Sequence, residues 1–110
     1  MDTKWYAIFV AQGKEFYVKD RISKIVDEGL KQVLVPTIKE ISEVRRKKIV
    51  RNTPLYPSYI FINADISKSL IAYILETAFV LKILGSNNKP YPIPEQEMDI
   101  VRAMSGDSKI

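Results

Sequence analysis

Histidine and cysteine are both missing from this chain of 110 residues. Without cysteine there is no disulfide and no thiolate metal site, which is compatible with a reducing cytoplasm without requiring one. Without histidine the commonest general base and the commonest metal ligand are gone. Glycine is scarce, and its four copies stand far apart at Gly13, Gly29, Gly85 and Gly106. No phosphate-cradling loop can be assembled from them. The carboxylates lie mostly at helical spacing from Lys or Arg, with no acid pair in the apolar setting that tunes a pKa. An enzyme, a cofactor and a metal are therefore not expected. Apolar runs long enough to span a bilayer are also lacking, and Met1-Asp2-Thr3-Lys4 has no charged-then-apolar signal pattern. What is present suffices for one domain with a real core: 46% hydrophobic and 27% charged residues. The net charge of +4 permits a nucleic-acid partner without requiring one.

The stretch Thr53–Asn63 organises the rest. Pro57 fixes its own φ and bends the chain, and the residues after it alternate as a strand. Ser58, Ile60 and Ile62 share one face; Tyr59 and Phe61 share the other. Apolar on both faces, this strand is expected in the middle of a sheet. The Tyr59 and Phe61 face, with Tyr56 beside it, is either core or a partner-docking surface, where aromatics are enriched. Lys4–Val10 reads the same way and is expected beside it, with Trp5, Ala7 and Phe9 on one face and Tyr6, Ile8 and Val10 on the other.

Around these two strands the remaining elements follow. Lys14–Glu28 reads as a helix whose buried stripe is Val18, Ile22, Ile25 and Val26. Glu15 with Lys19 and Asp20 with Lys24 add i,i+4 pairs, and Gly29 is the expected C′ residue. Gln32–Ile38 is a strand with Pro36 at its edge or at a bulge, and Lys39–Thr53 a hairpin extension. Asp65 or Ser67 caps a helix over Ser67–Thr77, buried through Leu70, Ile71, Ile74 and Leu75. Ala78–Leu84 is another strand, and Ser86–Pro90 is a turn. A last helix has Pro94 at N1, Glu95 and Glu97 at its positive end, and Met98, Val101 and Met104 inward. The order gives an α+β sandwich of ferredoxin-like character, with a mostly antiparallel four-stranded sheet, three helices and a basic hairpin.

Two surfaces carry positive charge. Lys14, Tyr17 and Arg21 share an exposed face at the helix start; this is either solvated or a contact for a nucleic-acid strand, with Tyr17 free to stack on a base. The hairpin tip Arg45-Arg46-Lys47-Lys48, followed by Arg51, serves solubility or phosphate contact through counterion release.

Lys4–Val10, Gly13-Lys14-Glu15 opening a helix, Val35-Pro36, and above all Leu55-Tyr56-Pro57-Ser58-Tyr59-Ile60-Phe61-Ile62 resemble the N-terminal (NGN) domain of NusG-type transcription factors. Phe79–Gly85 and Pro90–Pro94 match as well, so the resemblance runs from Lys4 to about Met104. It implies a monomeric, cytoplasmic, non-enzymatic domain that docks on bacterial RNA polymerase and promotes processive elongation or antitermination. Tyr56, Tyr59 and Phe61 would meet the clamp helices, and Ser67, Lys68 and Ser69 the gate loop. Lys14, Tyr17 and Arg21 would face non-template DNA, with nascent RNA a further candidate contact. The domain would occupy residues 1–105, with 106–110 beginning a linker to a KOW domain. Ser58 departs from the family's usual glycine. The Gly13-Lys14-Glu15 helix start and Leu55-Tyr56 look more like specialised paralogs such as RfaH and LoaP. A reading from the residues alone also stays open: a free-standing RNA-binding ferredoxin-like domain, its exposed sheet aromatics stacking on bases.

Overall fold

The computed structural model describes residues 2–86 and 89–104, apart from the side chain of Ser86. The turn positions Asn87 and Asn88 and the linker expected over 106–110 lie outside the described residues. In chain order the elements are β1 (Lys4–Val10), α1 (Glu15–Ser23), β2 (Leu30–Leu34), β3 (Thr37–Val44), β4 (Lys47–Pro54) and β5 (Tyr59–Ala64). They continue with α2 (Lys68–Glu76), β6 (Val80–Ile83), β7 (Gly85–Ser86), β8 (Lys89–Pro90) and α3 (Glu95–Met104). The main sheet has the order β2-β5-β1-β6, every neighbouring pair antiparallel. β1 and β2 therefore run parallel with β5 between them, and β5 and β6 run parallel with β1 between them. These are the two interleaved βαβ units of a ferredoxin-like fold.

The alternation of apolar residues decides which layer each face meets. Tyr6, Ile8 and Val10 of β1 join Ile60, Ile62 and Ala64 of β5 beneath α1 (Val18, Ile22) and α2 (Leu70, Ile74). The opposite faces, Trp5 and Ala7 of β1 with Phe61 of β5, pack on Met98 and Val101 of α3. Both central strands are thus sandwiched, as their two-sided apolar pattern requires.

Several expectations need correction. Helix α1 stops at Ser23, whose hydroxyl donates back to the Lys19 carbonyl at 2.6 Å, a bond that competes with helix continuation. Val26 is consequently 97% exposed instead of buried. Gly29 is not a positive-φ cap. Its N–H donates to the Asp27 carboxylate at 2.7 Å, and a side chain there would run into the Asp65 carbonyl. Glu15 does not pair with Lys19 but turns inward and is buried, whereas Asp20 and Lys24 do pair, at 3.2 Å.

The stretch read as one strand over Gln32–Ile38 is two strands in different sheets. Buried Val35 and Pro36 make the break, because Pro cannot donate to a ladder. The strand expected from Ala78 starts at Val80, since Phe79 has φ 70°. Helix α2 is capped by Ser67, whose hydroxyl accepts from the Leu70 N–H at 3.1 Å. It buries Leu70 and Ile74 fully, but Leu75 is exposed. Pro94 precedes α3 as its cap instead of occupying its first turn, its carbonyl accepting from Met98 at 3.2 Å. Met104, in the last turn of α3, is exposed.

Candidate functional site

The aromatic face becomes the floor of a cleft. Ala7, Tyr59 and Phe61 form the floor, with Tyr56 entering from the turn before β5. Leu84, Ile93 and the α3 residues Glu97, Ile100 and Val101 form the wall, and the cavity measures about 440 Å³. Among the described residues, Glu97 is the single charged one in that lining. Tyr56 meets Phe61 edge-on, with ring centroids 5.9 Å apart, and Phe9 extends the surface by contacting Tyr59 at 5.4 Å. Phe61 is only 7% exposed, anchored under α3, while Tyr56 and Tyr59 are half-buried and face the opening. An apolar floor with two rigid, partly wet phenol rings at its rim is suited to gripping an apolar protein ridge.

The turn that presents these rings has a specific support. Ser58 takes φ 72°, the left-handed region that glycine enters freely. Its N–H donates to the buried Glu15 carboxylate at 2.7 Å, and its carbonyl accepts from Val10 at 2.8 Å. Tyr59 in turn donates its N–H to the Tyr56 carbonyl at 3.1 Å. The start of α1 thereby fixes the bend from which Tyr56 and Tyr59 project.

Lys14, Tyr17 and Arg21 do come together, all exposed, at the start of α1. Sequence reasoning missed Phe79, which belongs to the same cluster. Tyr17 and Phe79 meet edge to face at 5.3 Å, Lys14 Nζ lies 4.8 Å from the Phe79 ring centre, and the Arg21 guanidinium lies 5.0 Å from that of Tyr17. Phe79 follows α2 and is held beside β1 by an N–H···O bond from Ala11 at 2.9 Å. Its place in an apolar run, Phe-Val-Leu, disguised it as strand.

Ser67, Lys68 and Ser69 begin α2, on the side of the sheet away from the cleft, and all three are exposed. The two hydroxyls lie 3.1 Å apart. The basic hairpin β3–β4 is a separate two-stranded sheet. Its turn is Arg45-Arg46 alone, both at positive φ (51° and 66°), while Lys47 and Lys48 already belong to β4. Lys48 stands opposite Glu43, and Arg51 opposite Glu40. Of the five cations Arg45–Lys48 and Arg51, those without an acid across the ladder are Arg45, Arg46 and Lys47, the last opposite Val44. Leu84, Ile93 and Ile100 were not anticipated as cleft residues. The pairing of α3 with the sheet's second face was the missing information.

Among the described residues there is no cluster of acids that could hold a metal ion, and no helix long and apolar enough to cross a membrane. Comparisons with known proteins agree on one relationship. A family model described as "Transcription termination factor nusG" matches residues 3–102. A transcription termination/antitermination protein NusG of Campylobacter jejuni is 31% identical over 103 residues, covering 89% of this chain and 58% of that protein. Another, of Helicobacter pylori strain J99, is 32% identical over 101 residues, covering 86% of this chain and 57% of its own length. This chain therefore spans somewhat more than half of those relatives. A solved structure titled "Domain interaction in Thermotoga maritima NusG" superposes with a TM-score of 0.74 at 22% identity, covering all of this chain and 61% of the other, a likeness of fold.

Proposed function

The chain belongs to the NusG family, and from that premise we propose that it is the polymerase-docking domain of a non-enzymatic transcription elongation and antitermination factor. The carrying observation is the apolar cleft between the sheet and α3. Tyr56 and Tyr59 at its rim and Phe61 in its floor receive the clamp helices of RNA polymerase. Ser67, Lys68 and Ser69, across the sheet from the cleft, suit a second contact to the gate loop. A domain wedged between two polymerase elements needs contact surfaces on opposite sides. Lys14, Tyr17 and Arg21 then face the non-template strand of the upstream fork, and the hairpin tip reaches phosphates of duplex DNA or nascent RNA. Gly13-Lys14-Glu15 at the start of α1 and Leu55-Tyr56 before Pro57, with Ser58 in place of the family's usual glycine, support placing the chain with specialised RfaH- or LoaP-like paralogs.

The burial pattern weighs against a free-standing RNA-binding domain. Such a domain stacks bases on an open sheet. Here α3 covers that face, leaving Trp5 3% and Phe61 7% exposed. Titrating the chain with a clamp-helix fragment and, separately, with single-stranded RNA tests the choice. Docking predicts saturable binding of the fragment. Tight RNA binding with no affinity for the fragment would reverse the assignment.

A further inference from the structure

We infer that Glu97 and Lys82 are the specificity-determining charges of the cleft. Glu97 takes a lysine or arginine of the docked helices, Lys82 takes an aspartate or glutamate, and the two pairs together fix the register and direction in which those helices lie. The inference rests on the cleft as the docking site and adds to it the residues that choose among apolar ridges.

Three observations carry it. First, Glu97, Ile100 and Val101 fall at i, i+3 and i+4 on α3, so the carboxylate shares the stripe that forms the cleft wall. Second, α3 carries the acids Glu95, Glu97 and Asp99 but a lone cation, Arg102, which is already engaged. Arg102 pairs with Asp99 at 2.7 Å and with Glu95 at 3.3 Å. Glu97 is exposed and has no ion pair among the described residues. A ridge that fills the cleft takes water from this carboxylate, and a charge stripped of water without a partner is costly. A ridge that brings a cation to Glu97 is therefore favoured over one that is apolar or acidic there.

Third, a cation stands at the other end of the same face. Along β1, Trp5 lies under α3, Ala7 in the cleft floor and Phe9 beyond it. Lys82 of β6 is in register with Phe9, and its ammonium lies 6.0 Å from the Phe9 ring centre. Lys82 too is exposed and without an ion pair among the described residues. The apolar floor thus runs between an acid and a base. A helical partner laid across it the other way round would set like charges against each other at both ends, which suppresses that arrangement.

The test titrates the chain with a fragment carrying the polymerase clamp helices at several salt concentrations, with unfolding free energy measured for each variant. Glu97→Gln and Lys82→Gln should each weaken binding roughly 3- to 30-fold at low salt, between the values for an exposed ion pair and for a charge-assisted hydrogen bond closed off from water. The loss should shrink as salt rises. Glu95→Gln removes the same charge from the same turn of α3, but outside the cleft lining, and should leave affinity unchanged. Glu97→Lys should bind worse still, and reversing one cation of the fragment to glutamate should restore its binding while weakening that of the unaltered chain. Ile100→Ala should lose affinity at every salt concentration, because it removes apolar contact alone. Unaltered affinity in Glu97→Gln and Lys82→Gln beside a loss in Ile100→Ala would overturn the charge assignment and leave the cleft as the docking site. A loss in Glu95→Gln equal to that in Glu97→Gln would overturn it as well, since the effect would then be the general field of the helix end. A fragment that fails to bind, or binding that Ile100→Ala leaves untouched, would overturn the docking site itself and the inference with it.

Discussion

The buried carboxylate of Glu15 accepts a hydrogen bond from the part-buried backbone N–H of Ser58 across 43 residues of sequence, at 2.7 Å. This bond ties the first turn of α1 to the left-handed bend that launches β5. Glu15→Ala leaves a part-buried N–H without an acceptor, and the expected cost is about 1–3 kcal/mol in urea unfolding. Glu15→Gln keeps an acceptor oxygen and should lose less. Both should weaken clamp-helix binding by more than an equally destabilising change in α2, because the bend positions Tyr56 and Tyr59.

Ser58→Gly should stabilise the fold by about 0.5–1 kcal/mol, since glycine reaches φ 72° without strain but also gains freedom in the unfolded chain. Paired denaturant curves measure it. A loss of stability would mean that the Ser58 side chain supplies something that offsets its strained backbone.

The hairpin cations should not act equally. Arg45, Arg46 and Lys47 have no acid opposite, whereas Lys48 and Arg51 face Glu43 and Glu40. Neutralising the first three should weaken binding to a transcription complex more than neutralising the last two. The loss should shrink as salt rises, because the term is counterion release. Binding isotherms across a salt series test this. Equal losses at low and high salt would point to misfolding or to a protein contact.

Tyr6 sets an alkaline limit. Burial first, and then the carboxylates of Asp65 and Asp2, raise its hydroxyl pKa above the ordinary 10.0. The folded chain therefore keeps this proton to higher pH than the unfolded chain does. The stability it contributes is intact below about pH 10 and is lost as pH climbs through the folded pKa. Tyr6→Phe should flatten the decline of unfolding free energy in that window.

The layers of the fold were legible because a strand alternates with period two. Spacing alone separated Tyr6 and Ile8 from Trp5 and Ala7 within β1, and Ile60 and Ile62 from Phe61 within β5, while the antiparallel register decides which faces share a layer. The rings of the cleft were legible for the same reason. What decides the rest is contact between distant segments. Glu15 looked like a surface partner of Lys19, and only the approach of Ser58 turns it inward. Ile100 falls outside the stripe of Met98, Val101 and Met104 that was read as inward, and only the packing of α3 on the sheet brings it to the cleft. Phe79 has no glycine to announce its positive φ, so its apolar run read as strand.

The most direct measurement is the affinity of Tyr59→Ala for a fragment carrying the polymerase clamp helices, with its unfolding free energy measured in parallel. Ile60→Ala serves as the comparison, because Ile60 is wholly buried in the other layer and its truncation should cost about 2–5 kcal/mol of stability. Half-buried Tyr59 should lose much less stability but roughly 5- to 150-fold in affinity, equivalent to about 1–3 kcal/mol at an interface anchor. A folded Tyr59→Ala that binds the clamp helices as tightly as the unaltered chain would contradict the assignment of the cleft.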